Sequence, residues 1–329
     1  MAKYDPEVVK SPQRTLNEGC GFCCSTKGKL SLCLSCKVIH YCSRAHQRLH
    51  RETHKASCKK IKDASPYSWE LIEALCDVHT KSAVQTTLDQ LRERRRLSHD
   101  RDDVHGLGPL LLLRLGRIQE AYDTMKLYRW KNRAPHPDDQ SFDVFERIRT
   151  FEIRGTELHV HVALALLKFK LLQDLRAIVF AAQMTRRHLP VELQIKIQEK
   201  VPYTSLIANN PMIIANPRYA LQLAETVKTQ LLRTIGIINL ENYHFFDILL
   251  DPQMRAKALK EAQFYDYEEP GSEEQAEVLV RMSYDAWVET PWAMTEIPKM
   301  FFARYEEPDW DETVQGYLPK WLIDSFAKD

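Results

Sequence analysis

Seven of the eight cysteines in this 329-residue chain fall between residues 20 and 58, together with four of its twelve histidines. In order they read Cys20-x2-Cys23, Cys33-x2-Cys36, Cys42-x3-His46 and His54-x3-Cys58. Two cysteines separated by two residues sit on one tight turn with both sulfurs aimed at a point. Ligands four residues apart share one face of a helix, so each pair supplies half of a tetrahedral site. Eight such ligands make two four-coordinate zinc sites, with no position left open for water. Cys24 breaks the pairs and is the odd thiol, although a register that uses it in place of Cys23 is open at this point. His40 and His50 lie outside the ladder and read as solvated, and Cys76 reads as a small buried hydrophobe.

A chain of this length can bury a core without covalent staples and suggests two or three units. The first residues, "MAKYDPEVVKSPQ", have no apolar run behind basic residues. The longest apolar runs, "PLLLL" and "VALALL", are far too short to cross a membrane. A soluble protein of the cell interior, nucleus or cytoplasm, is expected, and there close-set cysteines serve as metal ligands or catalytic groups and not as disulfides. The net charge of +1 hides an asymmetry. Residues 19–60 hold nine basic side chains against the single acid Glu52, a charge of +8, which leaves residues 61–329 at −7 because residues 1–18 cancel. Three thiolates around each Zn²⁺ would bring the basic segment to about +6.

The run C-x2-C, C-x2-C, YCS-x2-H-Q, H-x3-C resembles a MYND-type zinc finger. Spacing alone permits sequential or interleaved pairing. The resemblance implies the interleaved, cross-braced form, in which Cys20, Cys23, Cys42 and His46 hold one Zn²⁺ and Cys33, Cys36, His54 and Cys58 the other. The family more often has cysteine at the position of His46, and imidazole is an equally competent ligand. Relatives of this finger bind short proline-containing peptides from protein partners in a shallow groove beside the last helix. Gln47 matches the glutamine of that groove. The tryptophan on which a proline would stack is replaced by Arg51, and that change favours an acidic peptide. The clustered lysines and arginines also suit nucleic-acid phosphates, but no aromatic stacking set or base-reading helix accompanies them.

From residue 65 the pattern turns to helical periodicity, with helices expected over 68–80, 82–97, 108–116, 118–132, 156–187, 192–200, 217–236 and 272–289. Ser272 followed by Gln275 reads as a capping box. Breaks between helices are expected at "RAPHPDDQ", a loop, and at "ANNPMIIANP". The fold class is therefore mainly α: an N-terminal tail over 1–18, a cross-braced two-zinc finger over 19–60, an all-α domain over 61–265 and an acidic turn with a helical extension over 266–329. The helix pair around Gly116 resembles one tetratricopeptide unit, without a second copy at a fixed period. A similarity to the body of a fungal group of MYND-type proteins extends from about residue 19 to about residue 175, and it implies no particular chemistry.

An enzymatic rival is the lysine methyltransferase that some MYND proteins contain. It would show an N-H-S-C stretch and a glycine-rich β pocket, and the chain has only ten glycines and no such stretch. "GLG" at 106–108 reads as a helix-start turn, and "GKLS" at 28–31 lacks the glycine spacing of a phosphate loop. His159 and His161 are two apart on a helix and point away from one another. His99, Asp100, Asp102, Asp103 and His105 read as a solvated connector. No paired nucleophile and base is visible. The expected function is a non-enzymatic adaptor with two structural zinc ions and a protein partner; a nucleic-acid-binding regulator is the alternative.

Overall fold

A computed structural model describes residues 16–64, 74–75, 78, 80–97, 103–132, 143–146, 158–185, 188–261 and 269–303. Among these residues there are fourteen helices and one two-stranded sheet. In the N-terminal region β1 (Ser31–Leu32) pairs antiparallel with β2 (His40–Tyr41), and α1 (Arg44–Leu49) and α2 (Arg51–Asp63) follow. The body contains α3 (Lys81–Leu97), α4 (Asp103–Arg114), α5 (Ile118–Asn132), α6 (Leu158–Thr185), α7 (Val191–Gln198), α8 (Ser205–Ala208) and α9 (Pro211–Ala215). Beyond them lie α10 (Pro217–Glu241), α11 (His244–Leu250), α12 (Pro252–Glu261), α13 (Glu273–Val288) and α14 (Ala293–Ala303).

The body is arranged around α6. This 28-residue helix is apolar on every side and buries Leu166, Leu167, Phe169, Leu171 and Leu172 along with most of its length. A helix without a polar face must be enclosed, and α10 lies along it while α4, α5, α7 and α13 cover the rest. α10 is amphipathic, with Ala220, Ala224, Val227, Leu231, Ile235 and Ile238 buried at helical spacing. At the end of α4 the buried Arg114 holds Glu289 through two hydrogen bonds, of 2.9 and 2.6 Å.

Sequence signals explain several element ends. Gly116, at φ +73°, closes α4 as a Schellman turn: the Arg117 N–H donates to the Leu112 carbonyl at 2.9 Å and the Gly116 N–H to Leu113 at 3.2 Å. Ser272 caps α13 by accepting from the Gln275 N–H at 3.1 Å, but the return bond of a capping box is displaced. Gln275 Oε1 accepts from the Gly271 N–H at 2.9 Å and not from Ser272.

One expectation is refined and one corrected. The break at "ANNPMIIANP" holds a helical turn of its own. Asn210 accepts from the Met212 and Ile213 N–H groups, Asn216 from that of Tyr219, and a proline follows each asparagine, so α9 is one helical turn held between two caps. An Asn-Pro step is a cap plus a first-turn proline as readily as a turn. The "GLG" stretch is not a helix-start turn, because α4 begins at Asp103 and carries Pro109 inside it. Leu107, Leu110 and Leu111 are buried there, and their packing outweighs the poor helix propensity of the glycines and proline. The short helices α8, α11, α12 and α14 were not expected. Most of the 68–80 helix, the loop at 133–140, Cys76, His99, Asp100 and Asp102 lie outside the described residues.

The N-terminal region packs on the start of α3. Ser82 Oγ donates to the Val38 carbonyl at 2.7 Å, and the Lys81 N–H to the Asn17 carbonyl at 3.0 Å. Ala74, Leu75, Val78 and Ala83 share one apolar cluster with Cys20, Cys33, Cys36, Val38, Ile39, Tyr41 and Ile61. One residue further on, Val84 joins the body core with Leu88 and Leu91. The first turn of α3 thus belongs to both cores.

Candidate metal centre

Two knuckles built in the same way start the site. In the first, the Cys24 N–H donates to the Cys20 carbonyl at 2.8 Å and Cys24 sits at φ +57°; in the second, the Lys37 N–H donates to the Cys33 carbonyl at 2.9 Å and Lys37 sits at φ +56°. The residue after each second cysteine takes the left-handed position that lets the turn close. Cys24 therefore corresponds to Lys37, and Cys23 to Cys36. Glycine is required just before the first knuckle, since a Cβ on Gly19 would lie 2.3 Å from the Ser25 carbonyl oxygen.

The other half of each site comes from the helices. Ser43 caps α1 by accepting from the His46 N–H at 3.2 Å, which fixes the helix start beside Cys42. α2 buries His54 and half-buries Cys58 on the same face, one turn apart.

These segments bring Cys20, Cys23, Cys42 and His46 into one group and Cys33, Cys36, His54 and Cys58 into another, with the donor atoms of each group within 4.8 Å of one another. The grouping is the interleaved one, first pair with third and second with fourth. The Sγ atoms of Cys23 and Cys42 are 3.7 Å apart, and those of Cys33 and Cys58 are 3.8 Å apart. His46 Nδ1 lies 3.7 Å from Cys20 Sγ, and His54 Nε2 lies 3.5 Å from Cys36 Sγ. A zinc–sulfur bond of about 2.3 Å and a zinc–nitrogen bond of about 2.0 Å at tetrahedral angles imply edges of roughly 3.5–3.8 Å, so the cages have the size the ion needs. One edge, Cys42 Sγ to His46 Nδ1 at 3.0 Å, is tighter than that. The two histidines present different nitrogens, a choice that the sequence does not carry.

The cysteines differ in how readily they ionise. Burial works against a Cys20 thiolate, but the backbone groups of Cys23, Cys42 and Phe22 and the His46 ring outweigh it and lower the thiol to about 6. Burial raises Cys36 to about 11, and the neighbouring Cys33 and Cys58 add to the rise. Both sets offer three thiols and an imidazole, which is a zinc donor set. Zinc bound there supplies a structural tie with four protein ligands and no open coordination position.

Residues 20–58 match the family model of the MYND finger. This stretch is a MYND finger. No curated protein and no solved structure matches the chain.

Other sequence-singled residues take their places around the MYND finger. Gln47 is half-buried in α1, and Arg51 is exposed at the first position of α2. His50, expected to be solvated, is half-buried and has ring partners. It joins α1 to α2, its Nδ1 lies 2.9 Å from the Tyr41 hydroxyl, and its ring stacks on that of His54 with centroids 5.6 Å apart. Tyr41 is thus a supporting residue that sequence reasoning missed; its adjacency to Cys42 was the available signal. Phe22, between the first two ligands, leans on the His46 ring at 5.0 Å. Far from the finger, His161 is buried in α6 with its Nδ1 2.7 Å from Glu241. The described residues hold no metal-type cluster besides the two in the finger.

Proposed function

We propose that the chain is a non-enzymatic adaptor, in which the finger takes an acidic peptide of a protein partner at Gln47 and Arg51. The observation that carries this reading is the closed donor set at both zinc sites, which leaves the finger a surface and not a reaction centre. Arg51 is exposed next to the half-buried Gln47, and Arg44, Arg48, Lys55, Lys59 and Lys60 are exposed along the same two helices. A guanidinium in that setting suits a carboxylate through paired hydrogen bonds. MYND fingers are commonly used in protein–protein interaction. The reading places the chain in the cell interior; among the described residues no helix is long and apolar enough to cross a membrane.

Nucleic acid is the second reading, because the same lysines and arginines would meet phosphates. The methyltransferase reading has less support: among the described residues the only sheet is the two-stranded one in the finger. Binding of a labelled acidic peptide to the zinc-loaded chain should fall about tenfold in Arg51→Ala, the loss of roughly 1.4 kcal/mol expected for one charge-assisted contact. Zinc content should stay at two. Unchanged peptide binding in both Arg51→Ala and Gln47→Ala would remove the peptide site. Tighter binding of duplex DNA with a steep salt dependence would transfer the finger to the nucleic-acid reading.

A further inference from the structure

Four of the polar side chains buried in the body core gather at one place. Tyr122 and Lys126 on α5, Lys168 on α6 and Gln230 on α10 are each more than nine-tenths buried. All four engage one turn, residues 143–146. Lys168 Nζ donates to the Val144 carbonyl. Gln230 Nε2 donates to the carbonyls of Phe145 at 3.1 Å and Glu146 at 2.9 Å. The Glu146 carboxylate accepts from the Tyr122 hydroxyl at 2.5 Å and from Lys126 Nζ. The Val144 side chain is buried in the apolar core. Within the turn the Glu146 N–H donates to the Asp143 carbonyl at 3.0 Å and the Phe145 N–H to Asp143 Oδ1 at 2.9 Å.

Three successive carbonyls taken by side chains, a carboxylate between a lysine and a tyrosine, and an aliphatic side chain in an apolar pocket form the pattern by which a receptor holds a peptide. As a way of fastening a loop it is costly. Burial lowers Lys168 to about 7, and apolar residues of like volume would stabilise such a core at least as well. Among the described residues Gln230 Oε1 is buried without a hydrogen-bond partner, so the site has one acceptor more than this turn uses. Residues 133–142 and 147–157 join the turn to α5 and α6.

We propose that the groove between α5, α6 and α10 is a binding site for a short peptide carrying an aliphatic–aromatic–acidic run. In this chain Val144, Phe145 and Glu146 occupy it in cis, and a partner's segment of the same chemistry takes it in trans. The site lies in the body and does not depend on the peptide face of the finger.

The test uses the full zinc-loaded chain and a labelled, end-capped peptide, Phe-Asp-Val-Phe-Glu-Arg, which repeats residues 142–147. In the wild type the tethered turn competes, so fluorescence anisotropy should report weak binding, and saturating peptide should speed hydrogen exchange at 143–146. Glu146→Ala removes the carboxylate anchor of the turn, and the peptide should then bind at least tenfold more tightly. A peptide with alanine in place of its glutamate should bind neither protein. Should the alanine variant not fold, Glu146→Gln replaces it with the same expectation. The proposal is overturned if the folded variant binds no more tightly than wild type, or if the peptide's glutamate makes no difference. It is equally overturned if neither variant folds, because an occupant that the fold requires is a strut and not a displaceable ligand.

Discussion

The finger and the body of this protein solve the same problem with different means. Between Leu16 and Asp63 the fully apolar side chains that are buried come down to Val38, Ile39 and Ile61, helped by Tyr41 and three of the cysteines. The body encloses a 28-residue helix that is apolar on every side. Ordering a residue costs about 1–2 kcal/mol of backbone entropy, which so small a cluster does not offset over the length of the finger. The donors of its two zinc cages make up the difference, and because the cages interleave, each ion ties down chain that the other also spans. The finger is specified by a few positions that admit only a zinc-ligating side chain, the body by many that admit several.

The sharpest way to break that contrast is to remove the metal. A structural zinc contributes on the order of 10–16 kcal/mol of folding free energy, so stripping both ions with a strong chelator should unfold the finger entirely. Hydrogen exchange read by mass spectrometry should show protection lost across β1, β2, α1 and α2 and kept in α6 and α10. Metal released during the titration should amount to two ions per chain. One ion per chain would remove one of the two cages, and loss of protection in α6 in step with the finger would mean that the two regions are not held independently.

The converse experiment leaves the metal alone and cuts into the body. Phe169 is fully buried at the middle of α6. Its replacement by alanine should cost about 3–5 kcal/mol, the transfer term plus the cavity, read as a lower urea midpoint for the helical signal. The folded variant should still carry two zinc ions. A drop in zinc content together with the midpoint would show the body to be the template on which the finger folds.

How much of this was legible in the sequence follows the same division. Ligand spacing is a local property, so the eight donors could be named, and the family resemblance supplied their interleaving. What spacing could not carry was which nitrogen each histidine presents, or that Cys23 rather than Cys24 completes the first knuckle; both depend on the left-handed turn at residue 24 and on the helices that follow. In the body, α6 was legible because so long an apolar run is a buried helix and no strand, and α10 because its period averages over many residues. The start of α4 was misread and α9 was not seen because Gly106, Gly108, Pro109, Pro211 and Pro217 carry turn propensity that buried leucines and asparagine caps override. The buried use of Lys126, Lys168 and Gln230 was invisible, since a polar residue within an apolar run looks the same whether it faces solvent or a distant turn.

The smallest effect tests the joint between the two regions. Ser82 is the side chain of α3 that reaches the Val38 carbonyl, at 2.7 Å, and Val38 lies two residues beyond the ligand Cys36. Ser82→Ala removes one hydrogen bond and leaves that carbonyl to find water, a cost of about 1 kcal/mol. If the bond restrains the second knuckle, opening should become roughly fivefold easier there, and zinc should leave the Cys33, Cys36, His54 and Cys58 cage faster under chelation. The Cys20, Cys23, Cys42 and His46 cage and the urea midpoint of α6 should not move. Equal acceleration at both cages would mean that α3 supports the finger as one block, and that the interleaved ions, and not the joint, decide which knuckle opens first.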